Sequence, residues 1–431
     1  MDTAQSFIQS IIESPQSDTP RLVYADWLEE NHQPERADFI RSQCLRASLP
    51  ISDPRVPLLQ SHEAELLAMH GEDWLGALTE VGRDWKYHRG FIVAGDLVKL
   101  ATPEQVQTLF RLAPLFKTLR CNRDEAYLGR FFKERAVEVM RMLFDPEKGP
   151  ITGLDFSNAG LDDENASWGY FADIPSCIKR LDLSFNQFGN DGLDEIRINL
   201  DKQNVVLEEL NLAGNRIEGW NYYSPERYQR DRRPDRYDGG HYHVAGYVAE
   251  PIDASQIWAS PCFRTLRSLN LARNPFHALS VRQLLHNGLT SLVDLDLSYI
   301  DFGAAEDVAN QDLLPIHNFL AYGIERTYLL GNDPAYKSAA EFVVLSLAIA
   351  PIHSQLERLN FAGNGLDDDG SWLFRQHTRH YLDSSNMETW NDPWKHTWPQ
   401  LKTLILSDNN ISAEKLSWLQ DYLGQKVAVL F

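Results

Sequence analysis

Five times along the last two-thirds of this chain, apolar and polar positions fall in one order: apolar-x-x-apolar-x-apolar-x-x-Asn-x-apolar. The order is carried by Ile178, Leu181, Leu183, Asn186 and Phe188, and then by Leu207, Leu210, Leu212, Asn215 and Ile217. It returns at Leu266, Leu269, Leu271, Asn274 and Phe276, at Leu356, Leu359, Phe361, Asn364 and Leu366, and at Leu401, Leu404, Leu406, Asn409 and Ile411. The alternation predicts a short strand whose paired leucines point inward. The Asn falls where the chain turns out of the strand. There its amide can bond backbone groups that no strand pairing satisfies, forming a row from unit to unit. Gly192–Ile196 and Ala413–Leu416 then predict helices returning on the opposite side. Units of this kind bury a core only against their neighbours, so the repeat predicts a stacked array.

A degenerate unit precedes these at Phe116, Leu119 and Cys121, and a clearer one at Ile151, Leu154, Phe156 and Leu161, with Ala159 at the Asn position. Two later units deviate. One has Leu292, Leu295, Leu297 and Phe302, with Ile300 at the Asn position; the other runs from Ile324 through Thr327 and Leu329 to Asn332 and Pro334. Leu210 to Leu269 and Leu359 to Leu404 are too long for one unit. The first gap holds no further phrase, which favours an insertion over a hidden repeat. The tail Lys426–Phe431 predicts a final half-unit strand after a helix over 413–423.

The first segment predicts helices. Phe7, Ile8, Ile11 and Ile12 recur at helical spacing. Thr19-Pro20 reads as N-cap and first helical residue, and opens a helix with Leu22, Val23, Trp27 and Leu28 on one side. Gln33-Pro34 repeats the signal ahead of a stripe of Ala37, Ile40 and Cys44, with Arg36 and Arg41 off it. A helix over 54–70 stops at Gly71. Phe91-Ile92-Val93, with Trp74, Trp85 and Tyr87 nearby, reads as a strand that covers the array's first edge.

Two resemblances rest on these residues. TPRLVYADWLEENHQPERADFIRSQ, Thr19 to Gln43, resembles the repeat-companion domain of planctomycete bacteria, a helical module that precedes repeat arrays. It covers about a tenth of the chain and implies no established activity. Tyr24, Trp27, Phe39 and Ile40 can form its small core, with its charges solvated or docking a partner. Residues 116–431, with units 27 and 29 residues long between Leu154, Leu181 and Leu210, resemble the ribonuclease-inhibitor class of leucine-rich repeats. Together they imply an α/β fold: a leucine-rich-repeat solenoid (horseshoe) with a parallel concave sheet and convex helices, preceded by a small N-terminal helical module. The expected organisation is a helical module over 1–47, a connecting and capping segment over 48–115, and repeats over 116–431 with insertions at about 218–258 and 367–398.

Composition narrows the function. The net charge of −20 disfavours general nucleic-acid binding, which requires basic groups against phosphate. No apolar run is long enough for a membrane span, and MDTAQSFIQS has no secretory pattern. The 4 cysteines are dispersed, which fits reduced thiols and a cytoplasmic setting.

The variable positions around the strand leucines write the candidate binding face. One stripe holds Asp155, Asp182, Asn211, Asn270, Asp296, Tyr328, Asn360 and Ile405; its neighbour holds Arg180, Glu209, Ser268, Asp294, Arg326, Arg358 and Thr403. A third supplies Phe185, Arg273, Tyr299 and Asp408. Eight strands at about 4.8 Å make a face roughly 34 Å long, which suits a protein surface or extended peptide. The partner-contacting set is Arg180, Asp182, Phe185, Glu209, Asn211, Arg273, Asp296, Tyr299, Arg326, Tyr328, Arg358 and Asn360, with the Asp and Asn members also readable as plain solvated residues. The first insertion interleaves Trp220, Tyr222, Tyr223, Tyr228 and Tyr237 with Arg230, Arg232 and Arg233, a composition suited to cation–π and carboxylate contacts. It could bind an acidic partner, bind nucleic acid locally, or cover the protein's own acidic body. Trp390, Trp394 and Trp398 invite the same readings in the second insertion. His241, His243 and Asp238 lack a fourth metal ligand, and no nucleotide, hydrolase or metalloprotease motif is present. The sequence therefore predicts a non-enzymatic scaffold that takes a protein partner and needs no cofactor or metal; the alternative is a specificity or regulatory subunit whose partner chain does the catalysis.

Overall fold

The computed structural model describes residues 3–49, 53–98, 100–121, 137–144, 151–167, 171, 173–219, 257–286, 289–302, 338–368, 398–423 and 427–430. The chain divides into two compact units, Met1–Phe156 with Pro175–Ile178, and Ser157–Ile174 with Lys179–Phe431.

The first unit opens with four helices, α1 (Thr3–Glu13), α2 (Thr19–Glu30), α3 (Pro34–Ser48) and α4 (Arg55–Leu75). A hairpin of β1 (Arg83–His88) and β2 (Phe91–Asp96) follows, then α5 (Pro103–Leu112), β3 (Thr118–Arg120), α6 (Val137–Phe144) and β4 (Gly153–Asp155). Ile11, Ala25, Leu28, Ala37, Ile40 and Cys44 share one core with Phe91 of β2 and Leu115 ahead of β3. The helices and the hairpin thus bury one apolar surface together with Leu115. β1 is antiparallel to β2, while β2, β3 and β4 pair in parallel, so the hairpin occupies the edge of β3 as expected.

Several local expectations change. The buried side of α2 is Arg21, Ala25 and Leu28, whereas Leu22 and Val23 are exposed at 39% and 46%. Arg21 can be buried because its guanidinium donates to Ser17 O at 2.6 Å and Pro15 O at 2.8 Å, and a paired charge tolerates the interior. Helix α2 begins at Thr19, so Asp18 is the capping residue. Helix α4 runs through Gly71 and ends at Gly76, because a single glycine costs a helix only about 1 kcal/mol. The expected stripe of α3 is present, with Ala37, Ile40 and Cys44 buried. Arg36, expected off that stripe, donates to Gly90 O at 2.6 Å and lies over the rings of Trp74, Tyr87 and Phe39. Arg41 bridges Asp26 and Glu29 of α2. These charges are spent on contacts within the first unit.

The second unit is a leucine-rich-repeat solenoid. Its helices are α7 (Asp163–Ser167), α8 (Asn190–Lys202), α9 (Ala278–His286), α10 (Ala339–Ile349) and α11 (Ala413–Leu423). Its strands are β5 (Arg180–Asp182), β6 (Glu209–Asn211), β7 (Ser268–Asn270), β8 (Asp294–Asp296), β9 (Arg358–Asn360), β10 (Thr403–Ile405) and β11 (Ala428–Leu430). They pair in parallel in sequence order, and the central residue of each, from Leu181 to Val429, meets its counterpart in register. These central residues are buried and their flanking residues face outward, as the two-residue period of a strand requires. β6 pairs directly with β7 and β9 with β10, so both long gaps are insertions within one unit. The helix and closing strand expected at the tail are α11 and β11.

β8 also pairs directly with β9, so both of its edges are filled. β8 and β9 are thus neighbours on the strand face, while the sequence also expects a unit near 324–332 with Arg326 and Tyr328. That unit lies outside the described residues, as do Trp390, Trp394, the His241–His243 pair, and Trp220, Tyr222, Tyr223, Tyr228, Arg230, Arg232, Arg233 and Tyr237 of the first insertion. No described helix is long and apolar enough to cross a membrane.

Candidate functional site

The repeat asparagines build the frame of the strand face. Asn215 donates through Nδ2 to Leu212 O and to Leu183 O of the preceding repeat, both at 2.9 Å, while its Oδ1 accepts from Phe188 N at 3.0 Å. Asn274 repeats this with Leu271 O, Leu212 O and Ile217 N, and Asn409 with Leu406 O, Phe361 O and Leu366 N. The row predicted from the sequence is therefore continuous across the insertions. At the deviant unit, Ile300 has no amide to offer, yet its N–H still donates to Asn364 Oδ1 at 2.9 Å.

The Asp and Asn stripe has a job that the sequence reading did not assign. Asp182, Asn211, Asn270, Asp296 and Asn360 each accept, through Oδ1, the backbone N–H two residues on. These are Asx turns, which start the bend out of each strand. Asn211 and Asn360 also donate to Asp182 Oδ2 at 3.0 Å and Asp296 Oδ2 at 2.8 Å. Four of the proposed contact residues thus serve the turn first. In the neighbouring stripe Arg358 pairs with Asp294 at 2.9 Å, and Glu209 is exposed. Arg180 is half-buried on β5.

The third stripe is built differently. The residue just before each Asn position turns left-handed: Asn158, Phe185, Gly214, Arg273, Tyr299, Gly363 and Asp408 all have φ between 54° and 66°. In this region an L side chain costs about 1 kcal/mol or more, and Gly, Asn and Asp are the cheap occupants. Phe185, Arg273 and Tyr299 are not of that kind. All three are exposed, Phe185 at 56% and Tyr299 at 39%. The two glycines are their seats. A Cβ on Gly214 would lie 2.7 Å from the Phe185 ring, and one on Gly363 would overlap the Tyr299 ring. Arg273 places its guanidinium 4.7 Å from the Tyr299 centroid, and the Tyr299 hydroxyl donates to Asp408. That hydrogen bond raises the phenol above its ordinary pKa. The result is a pre-set ridge of two rings and one guanidinium along the strand ends. Gly214, Gly363 and Asp408 were not among the predicted contacts. Glycine at the residue before Asn in two repeats was the available signal that this position turns left-handed.

Among the described residues, no group of three or more His, Cys, Asp or Glu side chains is arranged to hold a metal ion. A leucine-rich-repeat family model matches residues 175–196. No curated protein sequence matches this chain. Among solved structures the chain is similar to an internalin of Listeria monocytogenes, at 12% identity and a TM-score of 0.30, covering 77% of this chain and 64% of that one. It is also similar to a chain of the Toll–Spatzle complex of Drosophila, at 16% identity and a TM-score of 0.29, covering 78% of this chain and 34% of that one. A leucine-rich-repeat protein of Leptospira interrogans matches at 12% identity and a TM-score of 0.17, covering 74% of this chain and 73% of that one. These likenesses are too distant to transfer a partner.

Proposed function

We propose that this chain is a non-enzymatic interaction protein whose second unit binds a protein partner through its strand face and left-handed ridge. One observation carries the reading: bulky, exposed Phe185, Arg273 and Tyr299 occupy backbone positions where Gly, Asn or Asp would cost less. Backbone strain kept under exposed side chains marks a functional surface more often than a structural one. Aromatic residues and Arg are also the usual anchors of protein interfaces. Seating the rings on Gly214 and Gly363 restricts their motion before a partner arrives, which lowers the entropy lost on binding. Arg180, Glu209 and Arg358 surround the ridge as its polar rim, with Asp182, Asn211, Asp296 and Asn360 exposing what their turns leave over.

The Tyr/Arg insertion is a second contact surface in this reading. The helical segment at Thr19–Gln43 is taken as a repeat-companion module with a structural role, since Arg21, Arg36 and Arg41 are spent on contacts within the first unit. All four cysteines are free thiols, which supports a cytoplasmic setting. The test is affinity purification with quantitative mass spectrometry from the native host. Compared are the parent chain, a Phe185→Ala/Tyr299→Ala variant, and an Arg232→Glu/Arg233→Glu/Tyr228→Ala variant. The ridge variant is expected to lose a partner that the parent retains, with an unchanged circular dichroism spectrum. An identical partner set for parent and ridge variant sinks the proposal.

A further inference from the structure

We infer that Gln420 of α11 closes the outer edge of β11 against strand pairing by a second copy of this chain. The backbone register shows which groups that edge offers. Ala428 N donates to Lys402 O and Leu430 O accepts from Leu406 N, both at 2.8 Å. Residues 428 and 430 therefore turn their backbone groups to β10. Strand alternation turns those of Val427 and Val429 the other way. There Gln420 Nε2 donates to Val427 O at 2.7 Å, and Val429 N donates to Gln420 Oε1 at 3.0 Å. In a parallel ladder, one residue of a further strand would fill both places with its own N–H and C=O. A primary amide carries the same donor and acceptor, so Gln420 stands in for that residue.

Packing fixes where the amide stands. Leu419, beside it on α11, is fully buried, and Gln420 is half-buried. The strand needs such a cover. An open edge is a template for another chain, and charged residues, bulges and proline are the usual protections. β1 of the first unit has two of these: Arg83, Asp84 and Lys86 lie along it, and its register shifts on either side of Lys86. β11 has neither. Ala428, Val429 and Leu430, with Val427 ahead of them, are uncharged and apolar, and they pair with β10 without a shift.

Short, uncharged segments of high β-propensity are the ones that pair between copies. A two-fold axis would bring this edge against itself in antiparallel pairing, each copy supplying the partners that the other lacks. The net charge of −20 holds copies apart only at long range, since salt at about 0.15 M screens it within about 8 Å. A local cover is therefore required, and Gln420 supplies it. This device is separate from the left-handed ridge, and its test involves no partner protein.

The test is sedimentation velocity of the full chain over a wide range of concentration, together with residue-resolved hydrogen exchange. Compared are the parent, Gln420→Ala, Gln420→Met, which keeps the length of the side chain without its amide, and Gln420→Ala/Ala428→Lys. In the parent, the Val429 N–H should exchange at least about tenfold more slowly than an uncovered amide. Diluted Gln420→Ala should lose that protection. On concentration it should regain it while sedimenting as a dimer or larger species, where the parent is unchanged. Gln420→Met should behave alike, and carries the test if Gln420→Ala does not fold. Ala428 is exposed, and Lys in its place sets a charge on the same strand, which should return the double variant to the parent's distribution. An unprotected Val429 N–H in the parent overturns the inference. So does a folded Gln420 variant that sediments like the parent at every concentration, or an association that Ala428→Lys leaves intact.

Discussion

Asn215 is 6% exposed and its amide serves three backbone groups of two repeats. Asn215→Ala leaves the Phe188 N–H buried without a partner, at a cost of about 1–3 kcal/mol, while Leu183 O and Leu212 O each keep one bond, from Asn186 and Asn274. A loss of about 2 kcal/mol is expected in urea unfolding, and a loss below about 1 kcal/mol would show that water replaces the amide. Gly363 and Gly365 make a controlled pair. Both have positive φ, 66° and 69°, but a Cβ on Gly363 meets Tyr299 while one on Gly365 meets nothing within 4 Å. Gly365→Ala should cost about 1 kcal/mol for the backbone alone. Gly363→Ala should cost clearly more and should change the near-ultraviolet signal as Tyr299 leaves its seat; equal costs would mean that the ring is not seated there. Burial pushes the Cys44 thiol up to about 12, helped by Asp18, and burial also raises Cys262. The thiolate is the reactive form, so native-state labelling with a disulfide reagent should reach half-buried Cys121 before Cys44, Cys177 or Cys262. Simultaneous labelling of all four would contradict the core packing.

At the scale of elements, the hairpin of β1 and β2 is held to α3 by two polar side chains: Gln43, whose Oε1 accepts from Gly90 N at 2.7 Å, and Arg36. Arg36 spans from its helix to Gly90 O and is covered by Trp74, Tyr87 and Phe39. Burial lowers its pKa, as it must for any cation withdrawn from water. Lys at this place would keep the charge but not the flat face that lies against three rings. Arg36→Lys is therefore expected to destabilise the chain by about 2 kcal/mol in thermal or urea unfolding, while Arg41→Lys, at a solvent-exposed pair, should change it by less than about 1 kcal/mol. Equal effects would remove Arg36 from its bridging role. The same element shows where pattern reading fails. Helical spacing marked Leu22 and Val23 as inward, but α2 turns Arg21 inward because the carbonyls of Pro15 and Ser17 wait there. Those carbonyls belong to a preceding loop, and no count along the helix can reveal them. By contrast the stripe of α3 was legible, since Ala37, Ile40 and Cys44 need only an apolar neighbour.

For the whole molecule, −20 charges on one chain repel one another in the native state. Raising ionic strength to about 0.5 M shortens the screening length to about 4 Å, so the thermal midpoint should rise with sodium chloride; a midpoint that falls would mean that surface ion pairs outweigh the repulsion. The repeating phrase by itself determined the unit: which leucine points inward, that the chain has left the strand by the Asn, and that an Asn row joins one repeat to the next. It could do so because each of these depends on residues within one strand and one turn. It also placed Phe185, Arg273 and Tyr299 on a common stripe. Only the tertiary structure decided that β8 meets β9 across the intervening segment, because strand pairing follows space rather than spacing. It alone turned the Asp and Asn stripe into a set of Asx turns, and seated two rings on glycines of the following repeats, Gly214 and Gly363. A contact between repeats depends on two distant stretches of chain and on the backbone angle at each, and neither stretch encodes the other.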